Sequence, residues 1–253
     1  MKIGVAGGTG TVGRHVTTRL RQLGHEPVVL SRAAGVDLLT TNGLATLLDG
    51  VDGVIDVVNT PALSAKASRR FFGATTATLL AAEADADVRH HVALSIVNAT
   101  RVAAGYYAGK ALQEDRVKRG AVPWTILRAT QFHEFAAQTL GRRPRGRLAL
   151  VPVMRTQPIA AAEVAERLVQ LALGPPRGEV TDLAGPGEEL LADMVRAYVR
   201  AIRSHTRVIQ IRLPGGMGAA MSSGGLLPPR GTERGTVSFG QWLDREVKGQ
   251  SHP

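Results

Sequence analysis

Three side chains near the middle of the chain have the types and spacing of a proton-transfer site. Tyr106 and Lys110 stand four apart in Tyr106-Tyr107-Ala108-Gly109-Lys110, and Ser95 lies eleven residues before Tyr106. On a helix, residues four apart share one face, whereas Tyr107 is rotated by about 100° from Tyr106. A phenol with an ordinary pKa of about 10 is a poor proton shuttle at neutral pH, and a nearby ammonium stabilises its phenolate. Lys110 is therefore expected to tune Tyr106 and to hold a ribose, with Ser95 steering a substrate carbonyl by hydrogen bonding. The plainer alternative is a packing tyrosine beside a surface lysine, because this spacing on its own is common.

A second set of residues says what such a site would work on. Lys2 to Ala6 reads as a strand, Gly7-Gly8-Thr9-Gly10-Thr11-Val12-Gly13 as a turn, and Arg14 to Leu23 as an amphipathic helix ended by Gly24. Strand, glycine turn and helix in that order form the context in which a glycine-rich match carries weight. Gly7 supplies the tight turn, Gly10 a bare backbone for a pyrophosphate, and Gly13 close packing of helix on strand. The free N–H groups at the helix start then face the phosphates.

The second strand, Glu26 to Arg32, would end beside the adenosine ribose. Its tip carries Ser31 and Arg32 and no acid. A guanidinium and a hydroxyl suit a 2′-phosphate, so the expected cofactor is NADP, with NADPH preferred over NADH. Asp37 can accept a hydrogen bond from the adenine amino group or serve only as a turn residue. Asn59-Thr60-Pro61 closes the third strand (Val54 to Val58) where the chain would pass the cofactor, and Pro61 disfavours helix at Thr60.

Further elements alternate in the same way. Asn42 to Leu48 is predicted as a short helix, Ser64 to Ala86 as a long one, Val88 to Ser95 as the fourth strand and Tyr106 to Arg119 as the next helix. The fold expected is α/β: a Rossmann-like, doubly wound parallel sheet with helices on both faces. The basic stretch Gly141 to Arg147 is the expected boundary. A dinucleotide-binding domain spans 1–140, and a smaller substrate lobe spans 141–253, packed on the first as one compact unit. In that lobe Leu148 to Val153, Val180 to Ala184 and Thr206 to Leu213 read as strands, and Ile159 to Leu173, Glu188 to Arg203 and Thr236 to Val247 as helices. Leu213-Pro214-Gly215-Gly216-Met217-Gly218 lacks the Gly-Lys-Ser/Thr ending of a phosphate loop and reads as a turn, and Gly224 to Pro229 as a mobile stretch.

Composition narrows the classes. With no cysteine there is no disulfide, thiolate metal site or cysteine nucleophile. His90 and His91 have no third ligand near in sequence and read as structural or solvated, so no metal is expected. No apolar stretch reaches the roughly 18 residues of a membrane span, and no secretory signal pattern opens the chain. A cytoplasmic location and no membrane partner are expected. The net charge of +10 raises nucleic acid as a partner, but the one tight arginine cluster, Arg142 to Arg147, has no interleaved aromatics for base stacking. A small anionic cofactor or substrate is the expected use of the field, with no nucleic acid. A homodimer through the long helix or the Tyr106 helix is possible.

The glycine turn, Ser95, Tyr106-xxx-Lys110 and the segment Val122-Pro123-Trp124-Thr125-Ile126-Leu127-Arg128-Ala129-Thr130-Gln131-Phe132-His133 together resemble an atypical short-chain dehydrogenase/reductase of the NmrA-like, isoflavone-reductase-like type. The resemblance covers most of residues 1–140 and the remainder loosely. It implies that Gly7, Thr9, Gly10, Thr11, Val12 and Gly13 cradle the pyrophosphate, Ser31 and Arg32 the 2′-phosphate, and Asn59 and Thr60 the adenosine side. Lys110 would hold the ribose and Tyr106 donate a proton. In the family the C-terminal lobe closes over the substrate; Phe132, His133 and Met154 are candidates for that pocket and equally for core packing. The implied function is NADPH-dependent reduction of a small carbonyl, quinone or enone. The alternatives are a non-catalytic NADP(H)-sensing regulator and a biosynthetic ketoreductase or epimerase.

Overall fold

Lys2–Ala6 forms the first strand, β1, and the following elements alternate around it. A computed structural model describes residues 1–40, 43–62, 64–102, 104–141 and 148–250. In chain order come α1 (Thr11–Gln22), β2 (Glu26–Leu30), α2 (Leu44–Leu47), β3 (Gly53–Asp56), α3 (Ala65–Asp85), β4 (His91–Ile96), α4 (Ala99–Val102), α5 (Gly105–Arg119) and β5 (Trp124–Ala129). Then follow α6 (Phe135–Leu140), β6 (Leu148–Pro152), β7 (Arg155–Thr156), α7 (Ala161–Ala172), β8 (Gly178–Glu179), β9 (Leu183–Ala184), β10 (Glu189–Leu190), α8 (Leu191–Ala201), β11 (Arg207–Ile211), α9 (Gly215–Ser223), β12 (Glu233–Arg234) and α10 (Phe239–Gln250).

The chain divides into two compact units. The first comprises Met1–Arg128 and Ala162–Thr181, and the second Ala129–Ala161 and Asp182–Pro253. The units are therefore not the contiguous segments 1–140 and 141–253 of the sequence reading. The reason is local: α7 is tied to α1 by the Arg19–Glu166 ion pair, and β8 lies in parallel beside β5. Val180 N–H donates to the Ile126 carbonyl at 3.2 Å, so residues 178–180 extend the first unit's sheet.

In the first unit the strand order is β2-β1-β3-β4-β5, with β8 on the far side of β5. β1 pairs in parallel with β2 and β3, and β3 with β4. The chain moves to one side of β1 first and to the other side next. This creates a topological switch point between β1 and β3, where ligands bind in open α/β sheets. Both strands are almost wholly buried, as the unbroken apolar run Val54-Ile55 and the pair Ile3 and Val5 require of a sheet covered on both faces. Ser64 caps α3 by accepting from Ala67 N–H at 3.2 Å, as its place before an alanine-rich helix predicts.

α3 and α5 lie close enough that a Cβ on Gly109 would meet Ser68 Oγ at 2.1 Å and the Phe72 ring at 2.7 Å. Ser68 Oγ crosses this seam and donates to the Tyr106 carbonyl at 2.9 Å. Gly109, inside the Tyr106–Lys110 interval, is thus the contact that sets how near the candidate site stands to α3.

In the second unit β6 pairs in parallel with β11, β7 antiparallel with β10, and β12 in parallel with β9. Ala129, the last residue of β5, pairs with Leu183. The strand expected over Val180 to Ala184 is only Leu183–Ala184, because residues 178–180 serve β8. The turn expected at Leu213 to Gly218 is the start of α9, with Pro214 as its N-cap residue. The stretch read as mobile is anchored, since Leu226 is buried. Asn42 and the arginine cluster 142–147 lie outside the described residues.

Candidate active site

The glycine turn has the geometry its sequence predicts. Gly7 stands at φ +81°, and a Cβ there would meet the Val57 carbonyl oxygen at 2.9 Å. Its N–H donates to the Leu30 carbonyl at 2.8 Å, and Gly10 N–H returns to the Gly7 carbonyl at 2.9 Å. Gly13 faces that same carbonyl so closely that a Cβ would lie 2.2 Å from it. Around Gly10 a Cβ would meet only the Gly7 oxygen, at 3.2 Å, so the outer side of the loop is open. Thr9 and Gly10 are exposed, Thr11 is half-buried, and Val12 turns its side chain into the core, leaving only its backbone for a ligand.

The start of α1 carries no side-chain cap and no acid in its first turn. Its first N–H groups are left to an external acceptor, and the helix dipole favours an anion there. A pyrophosphate fits this cradle.

At the tip of β2, Ser31 is buried and its Oγ has no hydrogen-bond partner. Arg32 is exposed and makes no ion pair among the described residues. A buried hydroxyl lacking a partner beside an uncommitted guanidinium is a ready anion contact. Asp37 serves the turn: its Oδ1 accepts Leu39 N–H at 3.0 Å and its carbonyl accepts Thr40 Oγ1 at 3.0 Å.

Tyr106 and Asn59 meet. The phenol donates to Asn59 Oδ1 at 2.9 Å, and the same oxygen accepts Thr60 N–H at 2.8 Å. Thr60 Oγ1 in turn accepts Ala62 N–H. The loop after β3 and the first turn of α5 are therefore joined through the hydroxyl of the tyrosine, beside the switch point.

Lys110 does not join them. Its buried ammonium donates to the Leu94 carbonyl at 2.7 Å and to Gln113 Oε1 at 2.5 Å, and lies 4.5 Å from the centre of the Phe72 ring. Phe72 packs edge-on against Tyr106 at 5.6 Å, so one ring touches both the phenol ring and the ammonium. Gln113 Nε2 donates onward to Asp56 Oδ2 at 2.7 Å, and Asp56 Oδ1 accepts Val58 N–H at 3.0 Å. The electrostatics follow this arrangement. Burial pushes the Tyr106 phenol above its ordinary value, helped by Tyr107 and Asp56, and Lys110 does not offset it. Burial pulls the Lys110 ammonium down to about 8, against the opposing pull of Asp56 and Glu114. The expectation that Lys110 lowers the Tyr106 pKa is corrected: the shared helix face holds, but the long lysine stem carries its charge to Leu94 and Gln113.

Ser95 is also placed otherwise than expected. Its hydroxyl donates to Glu114 Oε1 at 2.6 Å. Arg128 grips the same buried carboxylate through Nε at 2.9 Å and a terminal nitrogen at 2.6 Å, and reaches Glu179 at 2.9 Å. Ser95 thus spends its only proton on a structural ion pair joining β4, α5 and β5. His90 and His91 are structural, as read: His90 Nε2 contacts Thr125 Oγ1 at 2.8 Å, and His91 Nδ1 contacts buried Glu83 at 2.9 Å.

Within the second unit His133 is fully buried, bonded to the Val237 carbonyl at 2.9 Å and packed against Phe239 and Trp242. Met154 is buried, and Phe132 forms a bridge to Ile159. For His133 and Met154 this is core packing, the other of the two roles open to them. Sequence reasoning missed Asp56, Phe72 and Gln113. An acid inside Val54-Ile55-Asp56-Val57-Val58 and a glutamine three residues beyond Lys110 were the available signals.

Residues 3–99 match the model of the NAD dependent epimerase/dehydratase family. A comparison with curated protein sequences finds no match. Among solved structures, the chain is similar to UDP-glucose 4-epimerase of Thermotoga maritima with UDP-glucose, at TM-score 0.74 and 12% identity over 98% of each chain. It is similar to UDP-glucose 4-epimerase of Bifidobacterium longum with NAD+ and UDP, at TM-score 0.73 and 14% identity over 99% of this chain and 98% of that one. A short-chain dehydrogenase/reductase superfamily protein of Agrobacterium tumefaciens with bound NAD gives TM-score 0.71 and 15% identity, over 99% and 97%. The likeness is one of fold, shared with short-chain dehydrogenase/reductase superfamily proteins. The family match covers β1, the glycine turn, β3 and β4, the elements that form the switch point. Among the described residues no cluster of side chains suits a metal ion.

Proposed function

We propose that this protein is an NADP(H)-dependent oxidoreductase that reduces a small carbonyl, quinone or enone. The observation that carries the reading is the cradle at the switch point: uncapped N–H groups of α1 behind a Gly7–Gly13 turn, with Ser31 and Arg32 beside it. The backbone of residues 9–13 would hold the pyrophosphate, Ser31 and Arg32 a 2′-phosphate, and Asn59 and Thr60 the adenosine side. The nicotinamide supplies a hydride when bound.

Tyr106 is the proton donor in this reading. A phenol raised above its ordinary pKa holds its proton at neutral pH and is a weaker acid than a free phenol, so it can donate only to a strongly basic, alkoxide-like oxygen formed as hydride arrives. Asn59 Oδ1 holds the hydroxyl in the meantime. Tyr106→Phe is expected to lower kcat by about 10²-fold or more while NADPH still binds. Arg32→Ala is expected to weaken NADPH by about tenfold and to leave NADH nearly unchanged.

Two observations favour other readings. The commitment of Lys110 to buried acceptors favours an NADP(H)-sensing regulator without turnover. The solved neighbours bound to UDP-glucose or UDP favour a sugar-nucleotide substrate. Loss of reduced-nicotinamide absorbance with a panel of quinones, ketones and enones, run beside a fluorescence titration with NADPH and a chromatographic assay for inversion of UDP-glucose in the presence of NAD+, separates the three. Turnover lost in Tyr106→Phe supports the reductase, and tight binding without turnover supports the sensor. Failure to bind either nicotinamide dinucleotide overturns all three.

A further inference from the structure

Asp56 is a buried carboxylate whose two oxygens serve two different neighbours. It is the last residue of β3 and is 2% exposed. The register sets it between Ala6 of β1 and Ala93 of β4, and paired residues of a sheet share a face. Two short side chains therefore flank it, and Gln113 of α5 reaches it between them, donating from Nε2 to Oδ2 at 2.7 Å. Gln113 Oε1 accepts from Lys110 at 2.5 Å. The direction of this chain is fixed at both ends, because an ammonium only donates and a carboxylate only accepts. The Lys110 ammonium, enclosed by the Leu94 carbonyl, Gln113 and the Phe72 ring, thus finds its counter-charge one side chain away.

The other oxygen works on the loop. Oδ1 accepts Val58 N–H at 3.0 Å and turns the chain as it leaves β3. The next residue, Asn59, accepts the Tyr106 hydroxyl. The electrostatics agree with this placement, since the charge of Asp56 favours the protonated form of both Tyr106 and Lys110. Glu83 of α3 and His91 of β4 also feel that charge, and Glu114 of α5 acts beside it on Lys110. Glu83 and His91 are bonded to each other, and Glu114 is gripped by Arg128. Asp56 is the acid joined to Lys110 by hydrogen bonds.

We propose that Asp56 is a positioning residue of the candidate site: through Gln113 it holds Lys110, and through the turn at Val58 it holds Asn59 against Tyr106. Its consequence for turnover rests on the reading of Tyr106 as proton donor, whereas its hold on the two side chains does not.

The test is an NMR pH titration of the full chain carrying carbon-labelled lysine (Cε) and tyrosine (Cζ), run beside kcat measurements. Lys110→Met and Tyr106→Phe assign the two resonances. Lys110 is expected to titrate near its value of about 8. Asp56→Asn keeps the shape but leaves one oxygen for two donors. Its expected result is a Lys110 midpoint lower by about one pH unit or more, with the Tyr106 resonance moved as it is in Asn59→Ala. Gln113→Met leaves the turn at Val58 intact, so it is expected to lower the Lys110 midpoint and leave the Tyr106 resonance in place. A Lys110 midpoint unchanged in either variant overturns the proposal. So does a Tyr106 resonance that Asp56→Asn does not move. In turnover, Asp56→Asn is expected to lower kcat about tenfold and to add little to the loss in Tyr106→Phe, because both act on one phenol. Losses that multiply would overturn it as well. Absence of turnover in the unaltered protein overturns the reductase reading alone, and the two resonances then decide the proposal.

Discussion

At Gly13 a single added methyl group would land 2.2 Å from the Gly7 carbonyl and 2.6 Å from Gly8 Cα, both of them backbone atoms of the same turn. Gly13→Ala must push α1 off the strand, and an overpacked site of this kind costs about 1–3 kcal/mol. The expected result is a lowered melting temperature with NADPH binding lost in titration. Gly109→Ala strikes the α3–α5 seam in the same way, but away from the phosphate cradle. Its expected signature is a melting point lowered as much, with NADPH affinity changed far less. If Tyr106 is the proton donor proposed above, a pH dependence belongs to this scale too. A general acid must be protonated, and burial holds its phenol above the ordinary range. The kcat for reduction is therefore expected to show no loss to Tyr106 ionisation up to about pH 10. In the second unit, burial raises the Glu134 carboxyl from 4.5 to about 7. Between those values the folded chain binds a proton that the unfolded chain has released. The contribution of Glu134 to stability is therefore full below pH 4.5 and is lost as pH rises to about 7. Melting curves between pH 4.5 and 7 should slope downward with pH, less steeply in Glu134→Gln.

Between elements, the strongest tie is Glu114, which takes a hydrogen bond from Ser95 and a two-point grip from Arg128. Its carboxylate is 1% exposed. Removing Arg128 leaves this buried charge only the longer contact to half-buried Lys118 at 3.8 Å, so Arg128→Met is expected to cost about 3 kcal/mol in denaturant unfolding. Adding Glu114→Leu should recover most of that loss. This clamp explains why the elements were legible in the sequence and the site only in part. Period and punctuation mark where a helix or strand lies, and Ser64, Gly24 and Pro61 punctuate well. They also place Tyr106 and Lys110 on one helical face. They do not say where a four-carbon stem ends or which acceptor a serine finds. Those outcomes depend on partners far along the chain: Leu94 for Lys110, Asn59 for Tyr106, and Arg128 behind Glu114 for Ser95. The glycine turn was more readable because much of its geometry is local: Gly10 and Gly13 are constrained by Gly7 and Gly8, and only Gly7 and Gly8 answer to distant neighbours such as Leu30, Val57 and Val29.

For the whole molecule, binding of NADPH to the folded state alone would raise stability by about 2.7 kcal/mol at a hundredfold excess over Kd. A melting point that climbs with NADPH, and much less with NADH, is the expected reading of the Ser31–Arg32 tip in intact protein. The division into units has a separate consequence, for the order in which the chain is made. β5 is complete at residue 129, but the strand that covers its outer edge, together with α7, arrives only with residues 162–181, after a stretch that belongs to the other unit. At a synthesis rate of about 5–20 residues per second, the first unit waits roughly 3–10 s on the ribosome with a bare parallel edge. During that interval the nascent chain presents the kind of unpaired strand that chaperones recognise, although every residue of the proposed cofactor cradle has already been made.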